Sequence, residues 1–204
     1  MAEVFTRSDF RILRGVLLLL VVLAPVLGIG VPLLSWTGGD ALQWEAEVRT
    51  TDVDRALPPG LVRSAEDVTL RWDGRARFEL ADASSSEWLL ALLPLGVGSI
   101  AASAVALILL RLVKRTRRGD PFTAGSVTAL RAIGVILVAA GVVVPLLTGF
   151  ADHELVGRAL ADDQAFGATF QFSFVWFGVA MLLFALAEAF RTGERLTRDV
   201  EGLV

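Results

Sequence analysis

The only histidine of the chain, His153, stands between Asp152 and Glu154, with Asp162 and Asp163 a few residues on. An imidazole among carboxylates could hold a divalent cation. Zinc centres, however, take a closed set rich in His and Cys, or three such ligands and a water. The chain has no cysteine, which excludes thiolate ligands, thiol nucleophiles and disulfides. One nitrogen with scattered acids falls short, and the stretch reads as a solvated acidic loop. No Gly-x-Ser-x-Gly elbow, His-Glu-x-x-His pair, Gly-Lys-Ser/Thr phosphate loop or Ser-Lys motif occurs. The sequence therefore predicts no catalytic, cofactor-binding or metal-binding residue, and a protein that is not an enzyme.

The second chemically distinctive stretch is "RLVKRTRRGDPFTAGSVTALRAIG", which starts at Arg111. Its cations could meet the phosphates of a nucleic acid or of a lipid surface. The cluster is short and adjoins a long apolar run, the ordinary position of a signal that orients a membrane helix. No direct nucleic-acid binding is expected of it.

The elements that must position these residues follow from hydropathy. With 54% hydrophobic residues and a mean hydropathy of +0.63, the composition lies above the roughly 45–50% apolar usage of soluble domains. The apolar residues gather into four runs, 12–34, 88–112, 132–150 and 166–190. Each reaches the roughly 20 residues that a helix needs to cross about 30 Å of hydrocarbon. The first run is longer than a cleavable signal's apolar core and offers no clean small-x-small cleavage site, so residues 1–34 read as a retained signal anchor. The fold class expected is a mainly α membrane protein, with four transmembrane helices and a small β-rich extracytoplasmic segment between helices 1 and 2.

Charge sets the expected orientation. Residues 1–14, the stretch 111–131 and the C-terminal tail carry the basic excess, whereas the two alternate connections are acidic, giving about +5 on one side and −8 on the other of a net −3. Lys and Arg near membrane ends stay in the cytoplasm. The expected order is then 1–35 as cytoplasmic N-terminus and first helix, 36–87 as extracytoplasmic β segment, and 88–112 as second helix. A cytoplasmic basic elbow at 113–130, a third helix at 131–150, an acidic outer loop at 151–165, a fourth helix at 166–190 and a cytoplasmic tail at 191–204 complete it. Trp36, Trp44 and Trp88 fall near the outer interface, where indoles are favoured.

In "LQWEAEV", Leu42, Trp44, Ala46 and Val48 alternate with polar residues, the period of a strand with one buried face. "VTLRWDGRARFEL" repeats it around Asp73-Gly74. A two-residue loop would pair Trp72 with Arg75, whereas a three-residue loop or bulge pairs Trp72 with Ala76, Leu70 with Phe78 and Val68 with Leu80. The second arrangement keeps one face apolar and is the one predicted, in a sheet of three strands with Pro58-Pro59-Gly60 separating them. This segment reads as a structural cap, with a ligand-sensing cap as the functional alternative.

Within the helices, Gly98, Ala102 and Ala106 recur at i+4, with Ser99 and Ser103 beside them, a small-residue face suited to close packing. Pro25, Pro32 and Pro94 should bend or locally open their helices. Phe166, Phe170, Phe174 and Phe177 form a helical stripe for lipid or a subunit seam. No ionisable residue falls at the middle of a span, which argues against a proton-coupled transporter. Glu188 is expected to pair with Arg131 or Arg111.

In the stretch after the second helix, Gly119 fits the position after a helix C-terminus, Pro121 prevents continuation, and Thr123 is the expected N-cap of the third helix, with Phe122 and Val127 as a hydrophobic staple. "RGDPFTAGSVTALRAIG" followed by "ALAEAFRTGERLTRDVEGLV" resembles the prokaryotic membrane family catalogued as domain of unknown function 2975. The likeness covers most of the chain: four helices, an outer segment after the first, the Gly-x-Pro-Phe turn and a charged tail. Where the family turn commonly continues with an Asn-containing segment, this chain has Gly125-Ser126, so no role is carried over there. The resemblance implies a membrane component that holds a small helix-turn-helix regulator, since such proteins are often encoded beside one.

The function expected is a non-enzymatic regulatory or sensory membrane protein of the plasma membrane that docks such a cytosolic regulator. The docking residues expected are Arg117, Arg118, Asp120, Pro121, Phe122 and Thr123 in the elbow, with Arg195, Arg198 and Val200 in the tail. The alternatives are a small oligomeric channel or transporter component, built on homo-oligomers around the small-residue helix, and an envelope stress or immunity protein. Besides the lipid bilayer, no cofactor is called for.

Overall fold

In the computed structural model, residues 7–46, 62–65, 68–72, 76–116, 123–159 and 170–201 are described. Helix α1 spans Arg7–Pro25, a π-helical turn spans Val26–Gly30, and α2 spans Val31–Gly38. Strands β1 (Leu42–Ala46), β2 (Val62–Ala65), β3 (Val68–Trp72) and β4 (Ala76–Leu80) follow. Helices α3 (Ser85–Thr116), α4 (Ala124–Ala159) and α5 (Phe174–Glu201) complete the chain.

Four helical stretches are long and apolar enough to cross a membrane: Phe10–Gly38, Ser85–Thr116, Ala124–Leu155 and Phe174–Arg195. Large apolar side chains such as Ile12, Leu34, Phe174, Val175 and Leu182 are exposed on them. In water such surface would be costly, at roughly 25 cal/mol per Å².

The contacts divide into two compact units. One lies within Met1–Val26, Gly98–Val142 and Ser173–Val204, the other within Leu27–Val97 and Val143–Phe172.

In the first unit, Ala106 and Leu110 of α3 are buried with Leu17 of α1, flanked by Val21, Leu109 and Val113. The Ser103 hydroxyl donates to the backbone carbonyls of Ser99 at 2.9 Å and Val21 at 3.4 Å. The small-residue stripe therefore packs inside the chain at Ala106. Helices α4 and α5 run antiparallel: Val127 and Leu130 cluster with Ala187, Arg131 reaches Glu188 at 3.4 Å, and Gly134 and Gly141 lie against Phe184 and Trp176. Glu188 also pairs with Arg191 Nε at 3.0 Å, one turn along its own helix.

The second unit holds a four-stranded antiparallel sheet in the order β1-β4-β3-β2. Trp72 pairs with Ala76, Leu70 with Phe78 and Val68 with Leu80, the register of the three-residue loop. Leu42, Trp44 and Ala46 continue the same rows opposite Leu80, Phe78 and Ala76. A fourth strand, β2, exceeds the three expected. Its Arg63 falls opposite Leu70 and its Val62 opposite Arg71. That phase gives β2 no apolar face of its own, so alternation does not betray it.

Other boundaries differ from the expected ones. The first span is interrupted between Pro25 and Pro32 by the π turn, a local widening in keeping with the proline's missing N–H. Pro94, expected to bend its helix, lies inside the single helical element Ser85–Thr116. Helix α4 starts before 131 and continues past 150 to Ala159, so His153 is on a helix and not in a loop. Asp152 and Leu155 are buried one turn apart, which ties this last stretch down. Helix α5 begins only at Phe174, leaving Phe170 and Gln171 outside it, and the tail remains helical to Glu201. Of the expected four-phenylalanine stripe, Phe166 lies outside the described residues and Phe170 does not share the helix of Phe174 and Phe177. Phe170 instead meets Phe150 edge-on at 6.2 Å and fills the space beside Gly149, while Phe174 and Phe177 lie tilted at 6.3 Å.

Candidate functional site

Of the expected docking residues, Arg117, Arg118, Asp120, Pro121 and Phe122 lie outside the described residues. Thr123 is the N-cap of α4: its hydroxyl oxygen accepts from Ser126 N–H at 3.3 Å, and its carbonyl accepts from Ser126 and Val127. Arg195 is exposed on α5, and the backbone of Arg198 and Val200 belongs to the same helix. Gly98, Ala102 and Ala106 all lie on α3, with Ala106 fully buried.

Of the acidic group around His153, Asp162 and Asp163 lie outside the described residues, and His153 and Glu154 are exposed. Asp152 points elsewhere. It is 8% exposed, and its Oδ1 accepts from the indole N–H of Trp44 at 2.8 Å. That bond satisfies two polar groups that apolar surroundings would otherwise leave costly. Among the described residues, no group of three or more His, Cys, Asp or Glu is placed to hold a metal ion.

Among the described residues of the second unit there is a cavity of about 450 Å³. Pro32 and Ser35 of α2, Asp40 in the following turn, Leu42, Gln43 and Trp44 of β1, Glu79 of β4, and Trp88, Ala91 and Leu95 of α3 line it. Each wall has a local cause. Helix α2 ends at Gly39, whose φ of 78° is left-handed, a conformation that glycine adopts without a Cβ clash. The turn puts Asp40 in the lining, its N–H bonded to the Ser35 carbonyl at 3.1 Å. At the start of α3, Glu87 Oε2 accepts from Ser84 N–H at 2.6 Å and from its hydroxyl at 2.7 Å, so the Glu87 side chain caps the entry to the helix. The next residue, Trp88, stacks on Trp36 at 6.3 Å and 12°. Trp44 is fixed by Asp152.

The lining mixes polar and apolar surface, with Asp40 and Glu79 as its charged members. The side chains of both are exposed. Sequence reasoning did not single out either carboxylate. Asp40 follows a Gly-Gly turn and Glu79 occupies a polar position in an alternating strand, and both look like ordinary surface acids. The Ser-x-x-Glu cap before α3 was also missed, although its spacing is the signal that could have found it. The Trp44–Asp152 pair, 108 residues apart, carries no local signal.

Comparison with curated proteins gives no match, and comparison with solved structures gives none either. The model of the family described as "Protein of unknown function (DUF2975)" matches residues 74–202, most of the chain, and the chain belongs to that family.

Proposed function

We propose that the chain is a multi-pass integral protein of the cell membrane with both termini in the cytoplasm. Its role is regulatory or sensory and not enzymatic, and its cytoplasmic face docks a cytosolic helix-turn-helix regulator. The observation that best supports this is the run-on of α5. Its apolar run ends near Phe190, yet the helix continues to Glu201. Arg195 and Arg198 recur at i+3, on one side of that extension. A helix that leaves its apolar stretch with a charged surface is a suitable handle for a partner. The alternation of basic and acidic connections supports the orientation.

The test is purification of the tagged protein from its own host with and without residues 192–204, followed by identification of co-eluting proteins. A small DNA-binding protein that is lost on truncation is the expected result. An unchanged set of cytosolic partners would refute docking through the tail.

A further inference from the structure

We infer that the cavity between α2, β1, β4 and the start of α3 binds an organic monocation with an apolar body, of the alkyl- or arylammonium class. Asp40 and Glu79 take the charge, and Leu42, Trp44, Trp88 and Leu95 take the body.

Its volume of about 450 Å³ lies within the roughly 300–1,000 Å³ typical of small-molecule sites, which are mainly apolar with a few placed polar groups. The charged lining residues are both acidic, and among the described residues neither carboxylate is ion-paired or hydrogen-bonded. An anion would meet repulsion there. A hard metal ion would want six or more oxygens, and among the described residues no group of three or more acidic, His or Cys side chains is placed to supply them. An ammonium group attached to carbon gains from the carboxylates, and indole faces attract such cations as well. A phospholipid would bring its phosphate up against Asp40 and Glu79, so the occupant is a solute and not a lipid headgroup. Trp44, which lines the cavity, is held by its bond to Asp152 at 2.8 Å. Solute binding at this cavity is independent of partner docking and is measured on the purified chain alone.

The experiment is calorimetric titration of the full chain in an uncharged maltoside detergent with benzyltrimethylammonium, benzyl alcohol and 3-phenylpropionate. Indole emission is followed in parallel. Saturable binding of the ammonium compound alone is expected, weakening as salt screens the carboxylates. In the double variant Asp40→Asn/Glu79→Gln, affinity should fall by about tenfold or more, and Ala91→Phe, which fills the cavity, should abolish binding. Equal binding of phenylpropionate, unchanged affinity in the folded double variant, or no saturable binding of the ammonium would overturn the proposal. Should the variants fail to fold, the ligand series on the unaltered chain decides it. Competition by phosphatidylethanolamine would assign the site to a lipid headgroup and overturn the solute.

Discussion

At the residue scale, the Trp44–Asp152 hydrogen bond is the contact whose loss is most readily measured. The pair joins strand β1 to the end of α4, and Asp152 is almost buried. Replacing it with Ala leaves the indole N–H without its acceptor, a change that costs about 1–3 kcal/mol. Asp152→Ala should lower the thermal midpoint in detergent and shift indole emission. Trp44→Phe in the Asp152→Ala background should cost less than in the parent, because the two residues share one interaction. Additive losses would show that the bond contributes nothing of its own.

At the element scale, the antiparallel seam of α4 and α5 depends on glycines that leave room for rings. A Cβ added at Gly134 would lie 2.8 Å from the Phe184 ring, whereas one at Gly178 meets nothing within 4 Å. Gly134→Leu should therefore destabilise the chain by about 1–3 kcal/mol through overpacking, and Gly178→Ala should leave the thermal midpoint unchanged or raise it. Equal behaviour of the two variants would mean that the seam relaxes freely. At the ends of helices the local code is sufficient: Thr123 caps α4 as its residue type and position required. Thr123→Ala should cost about 1 kcal/mol in the same assay.

At the scale of the whole molecule, the testable property is topology. The chain has no cysteine, so single cysteines report without background. Under the proposed orientation, Ser84→Cys reacts with an impermeant maleimide added to intact cells, and Thr192→Cys reacts only after the membrane is opened. The opposite pattern would invert the orientation, and labelling of neither before opening would place the protein elsewhere. The family match begins at residue 74, so it covers Glu79 and the α3 wall of the cavity but not Asp40 or Trp44.

The sequence by itself determined the four long apolar helices, the cap at Thr123, the apolar register of the β3–β4 hairpin, and that Glu188 would pair with Arg131 or Arg111, of which the structure shows Arg131. Each depends on residue type at short spacing, or on a run of hydrocarbon whose length is set by physics outside the chain. Only the tertiary structure decided that Asp152 serves Trp44 and not His153, that Phe170 leaves the helix to fill the space beside Gly149, and that β2 joins the sheet. It also brought Asp40 and Glu79 to one cavity. Those pairings join residues far apart in the chain, and an acid, a phenylalanine or a glycine looks the same in sequence whichever partner it finds. The choice is made by which surfaces can be buried together, and a linear pattern does not encode it.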